Sequence, residues 1–313
     1  MERVVSLLPV DPRDIYQLFT PVGGLWETAS NELETNYHYV KVQIQPGNNV
    51  MTVRKVSPRS FRNEVELFDE PNQYSLDLSI SIYDSEEDEE LQVQPEPISE
   101  KRLKQIVRLP SKGGSSSGFT VEGIQRRENE VFDFGGFLRD IQAPFAYVVI
   151  QDCRGYSEEI EGFLRNLIPK RTCDSFSFYF VDLSSTCVDL LLDVWDTWDP
   201  NDRRRLSGYR FGSITILTYS QTFTKAHISR VLNGWCEGRG GCRLETSLTE
   251  FPHIEAFCKT FEIQEPVWKV ELEQESFSKC HVLIHRKTGT VIKTRFFRGD
   301  HLELTVWNCS KAS

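Results

Sequence analysis

The stretch HISRVLNGWCEGRGGCRLETSLTEF, residues 227–251, decides how the chain is read. It holds a Gly-rich loop and two cysteines six positions apart, with His227 at its start and His253 just beyond its end. Ile228, Val231, Leu232 and Trp235 recur at the spacing of one helix face. Gly238, Gly240 and Gly241 then stop the helix, because glycine tolerates the left-handed backbone of a helix end. Leu244 opens the next strand. A phosphate cradle needs the reverse order, strand to glycines to helix N-terminus, where N–H groups and the helix dipole meet the anion. Here the loop sits at the negative end of a helix, so the stretch reads as a helix-to-strand junction.

The same junction recurs on either side. Helical stripes are formed by Phe134, Phe137, Leu138, Ile141; by Ile160, Phe163, Leu164, Leu167; by Val188, Leu191, Leu192, Trp195; and by Ile254, Phe257, Cys258, Phe261. Ser157, Ser184 or Ser185, and Thr224 mark helix starts, since their hydroxyls satisfy free backbone N–H groups. Short β-rich runs lie between: FAYVVI (145–150), FSFYFV (176–181), SITIL (213–217) and RLETSL (243–248). A strand and a helix alternating on a period near thirty residues predict an α/β fold of β/α repeats. Either a parallel sheet or a solenoid similar to leucine-rich repeats meets the pattern, and the curved form is the one expected.

Both ends change style. HYVKVQIQPGNNVMTVRKV alternates Val40, Val42 and Ile44, turns at Pro46–Asn49 and resumes as a second strand, a hairpin signature. YSLDLSISIY sets Leu76, Leu78, Ile80 and Ile82 against Ser75, Asp77, Ser79 and Ser81. Residues 1–83 are therefore expected to be a β-rich N-terminal module and 119–313 the repeat domain. Between them, 84–118 reads as a linker: DSEEDEE (84–90) holds six acids in seven residues, and PSKGGSSSG (110–118) has little to bury. One ordered segment, KRLKQIVRL, is allowed within it, and Ser85 ahead of the acids fits an acid-directed kinase or a plain solvated spacer. CHVLIHRKTGTVIKTRFF turns at Lys287–Gly289, and HLELTVW adds a third strand. This antiparallel meander is expected to cover the open edge of the repeats.

Composition narrows the partners. The formal charge of −10 argues against a nucleic-acid backbone, which demands clustered Lys and Arg. No apolar run is long enough to cross a bilayer, and the start lacks a signal-peptide core, so a cytoplasmic or nuclear location is expected. The eight cysteines contain no Cys-x-x-Cys pair and read as small buried hydrophobes.

No chemistry stands out. Cys236, Cys242, His253 and Cys258 could supply four zinc ligands, but Cys258 occupies a helix stripe and the spacing fits no familiar finger. His281 and His285 share a strand face, as half-exposed histidines do. Trp198 with Arg203–Arg205 makes either a partner-binding spot or a solvated loop. No catalytic residue, cofactor or metal is assigned. The alternative is an α/β enzyme, hydrolase-like, with its site beyond the carboxyl ends of the strands at Asp152, Cys153, Asp182 and Ser184.

Two stretches carry a resemblance. In VLNGWCEGRGGCRLETSLTEF, Leu232, Asn233, Trp235, Gly238, Leu244, Leu248 and Phe251 match the helix-turn-strand segment of nematode F-box-associated domains of the second type. In HRKTGTVIKTRFFRGDHLELTVW, Arg286, Gly289, Phe296, Leu302, Leu304, Val306 and Trp307 resemble that domain's closing meander. The resemblance spans approximately 119–308 and implies a protein-binding domain. Joined to an F-box, such a domain presents substrates to a Skp–cullin ubiquitin ligase. An F-box is a three-helix module introduced by Leu-Pro, and Leu8, Pro9, Ile15 and Leu18 resemble its first helix and would contact a Skp-type adaptor. The β pattern that starts near residue 38 leaves little room for the rest, so the F-box is degenerate or absent.

The resulting expectation is a non-catalytic, substrate-recruiting protein whose partner is another protein, with no nucleic acid or membrane involved. Strand residues that point away from the core, Ser177, Tyr179, Thr215, Arg243, Glu245 and Ser247, would form its binding ledge, or else an ordinary solvated strand face.

Overall fold

The structure, a computed structural model, describes Gly24 and residues 37–56, 74–84, 95–109, 117–126, 132–170, 172–197, 213–217, 223–239, 241–247, 254–263, 267–274, 278–285, 290–297 and 301–308. Leu8, Pro9, Ile15, Leu18, Ser85, Trp198, the Arg203–Arg205 triplet and His253 lie outside the described residues. The fold is mixed α/β. It divides into two compact units, Met1–Val148 with Pro169–Cys173, and Val149–Ile168 with Asp174–Ser313.

The first unit contains β1 (Tyr37–Gln45), β2 (Val50–Val56), β3 (Tyr74–Tyr83), β4 (Glu96–Pro97), α1 (Glu100–Val107), β5 (Gly118–Glu122) and α2 (Phe134–Asp140). Its strands run in the order β5-β3-β1-β2-β4. The expected hairpin is present: β1 and β2 pair antiparallel, and the Asn49 N–H closes the turn on the Pro46 carbonyl at 3.0 Å, with Asn49 at φ 53°. Asparagine accepts that left-handed backbone more readily than most residues. β3 pairs parallel to β1, and β5 parallel to β3.

Alternation and register together sort this sheet into rows. Val53, Val42, Ile80 and Phe119 sit side by side on four strands and are all buried, as are Met51, Ile44, Ile82 and Val121 in the next apolar row. The rows between them are polar: Arg54, Lys41, Ser79 and Gly118, then Thr52, Gln43, Ser81 and Thr120. Gly118 is required where it stands, because a Cβ there would fall inside the ring of Tyr147.

The stretch 84–118, expected to be a linker, is partly ordered. It contains β4 and α1, whose Ser99 Oγ accepts the Arg102 N–H at 3.3 Å, and its last residue begins β5. The division between units falls at Val148/Val149, within β6 (Tyr147–Gln151), and not across this stretch. α1 coincides with KRLKQIVRL, the one ordered segment allowed there, and it buries only Ile106 and Val107.

The second unit continues from β6 through α3 (Ser157–Leu167), β7 (Ser175–Tyr179), α4 (Ser185–Thr197), β8 (Ser213–Leu217), α5 (Lys225–Cys236), β9 (Cys242–Ser247) and α6 (Ile254–Thr260). It ends in β10 (Val267–Gln274), β11 (Ser278–His285), β12 (Thr290–Phe297) and β13 (His301–Asn308). β7, β8 and β9 are parallel neighbours in chain order, with α4 and α5 as their crossovers. β13 then pairs antiparallel with the edge of β9, and β12, β11 and β10 follow as a meander. All five stripes lie on helices, with Ile141 and Phe261 just past the ends of α2 and α6; β10 is an additional strand that the alternation did not announce.

At the helix-to-strand junction β9 begins at Cys242, two residues ahead of Leu244, where the strand was expected to open. α5 ends at Cys236 with Glu237 as its cap, and Gly238 and Gly241 take φ 93° and 78°. Thr224 caps α5: its hydroxyl accepts the His227 N–H at 3.3 Å, while its own N–H donates to His227 Nδ1 at 3.1 Å. Ser184 caps α4 by accepting the Cys187 N–H at 3.1 Å. α3 departs from expectation: Tyr156 holds the cap position without a side-chain bond, and Ser157 is already helical.

α4 and α5 pack closely through Trp195 and Gly234. A Cβ at Gly234 would overlap the Trp195 ring, which is 1 % exposed and has nowhere to retreat. Gly234→Ala is therefore expected to lower the unfolding free energy by about 1–3 kcal/mol through overpacking. Gly162, in α3, has open space where a Cβ would go, so Gly162→Ala should be neutral or stabilising by up to roughly 1 kcal/mol. Urea unfolding of the two variants side by side checks both signs.

Candidate functional site

In the second unit, register builds two kinds of row, as it does in the first. Phe176, Ile214, Cys242, Val306, Ile292 and Leu283 stand in line across six strands and are all buried. Phe178, Ile216, Leu244, Leu304 and Thr294 form a second buried row. These rows face the helices: α4 meets β8 and α5 meets β12. The intervening row points the other way. It runs Ser177, Thr215, Arg243, Thr305, Lys293, and every member but Ser177 is half-buried.

The row unites three of the six expected ledge residues, Ser177, Thr215 and Arg243, on three adjacent parallel strands. Ser177 is more enclosed than expected, at 9 % exposure. Tyr179 lies one step along β7, across from Leu217, which in turn is registered with Glu245; Ser247 is registered with His301. Thr305 and Lys293 were missed because they reach the row through antiparallel pairing of the meander, and no local pattern announces that pairing. Ser175 and Ser213 extend the polar face one step the other way, with their hydroxyls 3.0 Å apart.

The residues named for a hydrolase-like site are near the carboxyl ends of β6 and β7, and two of them, Cys153 and Ser184, have structural duties there. Cys153 is buried, and burial followed by the charge of Glu159 pushes its thiol up to about 12, far from thiolate chemistry at neutral pH. The Ser184 hydroxyl donates to Glu161 Oε2 at 2.7 Å while capping α4. Asp152 adopts φ 48° and gives its N–H to the Tyr179 carbonyl at 2.8 Å; Asp182 is exposed. Phe180 repeats the Asp152 geometry at the end of β7, with φ 57° and its N–H on the Leu217 carbonyl at 2.7 Å.

Of the four zinc-type residues, His253 lies outside the described residues. Cys242 and Cys258 are buried while Cys236 is exposed, and burial raises the Cys242 thiol well above its ordinary value. Among the described residues no group of three His, Cys, Asp or Glu could hold a metal. No helix among them is long and apolar enough to cross a membrane.

A polar seam between α4 and α5 was also missed. Asp189, Asp193 and Asp196 lie along one face of α4. His227 Nε2 meets Asp189 Oδ1 at 3.1 Å, and Arg230 meets Asp193 and Asp196, each at 2.5 Å. The pairing of Asp189 with His227 has the look of a catalytic dyad, yet both ring nitrogens are occupied. The Thr224 N–H can only donate, so Nδ1 accepts, and Nε2–H donates to Asp189. With the ring 3 % exposed, no lone pair is left for a substrate proton or a metal. The seam holds two helices together. Arg239, in the loop after α5, adds a bond to the Asp196 backbone carbonyl at the end of α4.

Ser184→Ala separates a structural serine from a nucleophile. Loss of the cap and of the Glu161 bond is expected to cost about 1–2 kcal/mol at neutral pH. The Ser184 hydroxyl and then Arg165 hold the Glu161 carboxyl below its ordinary value. That stabilisation is present above the unfolded-state pKa of glutamate and is lost as pH falls through the lower folded value. The gap between native protein and S184A should therefore narrow in acid, as urea midpoints across the acid range will show. No protein-family model, no curated protein and no solved structure matches this chain.

Proposed function

We propose that the chain is a non-catalytic scaffold that binds another protein on the polar strand face of its second unit. The observation that carries this reading is the row Ser177–Thr215–Arg243–Thr305–Lys293, five adjacent strands presenting polar side chains opposite a helix-covered core. A face of hydroxyls punctuated by cations suits hydrogen bonds and charge pairing with a partner, which give orientation and specificity.

The finer architecture belongs to the same proposal. Successive parallel strands with one helix between them, and the matching left-handed turns at Asp152 and Phe180, support reading the segment as stacked β/α repeats of a leucine-rich-repeat-like kind. Stacking of this sort yields a broad surface instead of a closed cleft. The resemblance to nematode F-box-associated domains supports a substrate-recruiting role beside a Skp–cullin ligase in the cytoplasm or nucleus. Leu8, Pro9, Ile15 and Leu18 would make the adaptor contact.

Two measurements test the halves separately. Chains captured by the full-length protein from its native cells should drop by roughly tenfold in recovery when Thr215→Glu and Lys293→Glu are combined, the equivalent of about 1.4 kcal/mol. The melting temperature should stay near the native value; equal recovery would sink the ledge. In the second, purified Skp adaptor is expected to be retained by the full chain and lost on deletion of residues 1–30. No retention by either form would remove the ligase role and leave the scaffold standing.

A further inference from the structure

We propose that the polar face of the first unit's sheet binds a phosphate-type oxyanion between Lys41 and Arg54. The two cations are directly opposite each other on β1 and β2. Like charges in that position repel, so a sheet built for stability alone would avoid them. Among the described residues neither side chain forms an ion pair, and Arg54 Nε is buried without a hydrogen-bond partner. A buried donor left unmade is costly, and an anion would remove both penalties at once.

The surroundings are those of a receptor for negative charge. Lys41 and Arg54 line a cavity of about 230 Å³ with Gln43, Ser79 and Ser81, and the remaining lining residue is Val42. Register sets Lys41 across from Ser79 and Gln43 across from Ser81, so both hydroxyls open on the side where the cations stand. Thr52 Oγ1 donates to Gln43 Oε1 at 3.3 Å, which leaves the amide NH2 as that residue's remaining end. The lining therefore supplies ammonium, guanidinium, amide and hydroxyl donors and no carboxylate. The nearest acid on the same strand face, Asp77, is buried and accepts the Ser117 hydroxyl at 3.0 Å. Tyr83 Oη, also buried without a partner, adds one more unmet hydroxyl to this face.

A tetrahedral oxyanion matches this set better than a single carboxylate. A guanidinium can bond two of its oxygens in parallel, while an ammonium and two serine hydroxyls are placed to take the others. The shared chemistry is a phosphate group, whether free, on a small ester or on a phosphorylated side chain.

The test titrates the full chain with inorganic phosphate, O-phosphoserine and a phosphoserine peptide at constant ionic strength, with chloride as control, by calorimetry and thermal melting. Saturable heat and a rise in melting temperature with phosphate but not chloride are expected. Lys41→Gln and Arg54→Gln should each weaken binding by roughly tenfold or more. Without phosphate, Lys41→Gln should melt higher than the native protein at low salt, because the repulsion is gone. Ser79→Asp, which places a carboxylate beside the cations, should also raise the melting temperature and abolish phosphate binding. Tighter binding of the peptide than of O-phosphoserine assigns the phosphate to a protein side chain; equal binding assigns it to a small ester. The proposal is overturned if no binding saturates, if chloride stabilises equally, or if the variants bind as the native chain does.

Discussion

Strand register is the constraint on which the rest depends. Each strand alternates, but alternation alone yields only two faces; register turns faces into rows. Because Val42 is matched to Val53 and Ile80, and Ile80 to Phe119, one whole line of the first unit's sheet is buried while its neighbour is polar. A slip of one residue in β1 would carry Lys41 and Gln43 into the core and Val42 into solvent. The second unit obeys the same rule across six strands, from Phe176 to Leu283. Both candidate surfaces are the polar complements of buried rows, so their geometry is fixed by the core and not by loops.

Much of this was legible in the sequence. The helical stripes at 134, 160, 188, 228 and 254 all became helices, and SITIL became β8 with the bounds expected. Period-based reading works here because each stripe must meet a core and each alternating run must bury one side. What it could not supply was the identity of partners in space. YSLDLSISIY shows that β3 has a wet face; nothing in it shows that β3 runs parallel to β1 and brings Ser79 beside Lys41. Thr305 and Lys293 join the second face only through the meander. Gly234 looked like any helical glycine until Trp195 was placed against it.

The chemistry divides along the same line. Residue types that suggest reactivity, such as Cys153, Ser184 and the Asp189–His227 pair, are each explained by a local structural duty: burial, a helix cap, a seam between helices. Titratable groups with every lone pair or hydroxyl already engaged hold a fold together and have little left to offer a substrate. The polar rows carry Lys41, Arg54 and Lys293, which have a cation to offer to whatever approaches.

One small element governs how the first unit's sheet meets other molecules. β4 is two residues long, pairs with Val50 and Met51 of β2, and one of its two residues is proline, which has no N–H to donate. An outer strand so brief and so short of donors offers almost no ladder on which a foreign chain could template itself. Where β4 lies beside β2, at Val50 and Met51, the border of the first unit's sheet is thereby guarded against an added strand.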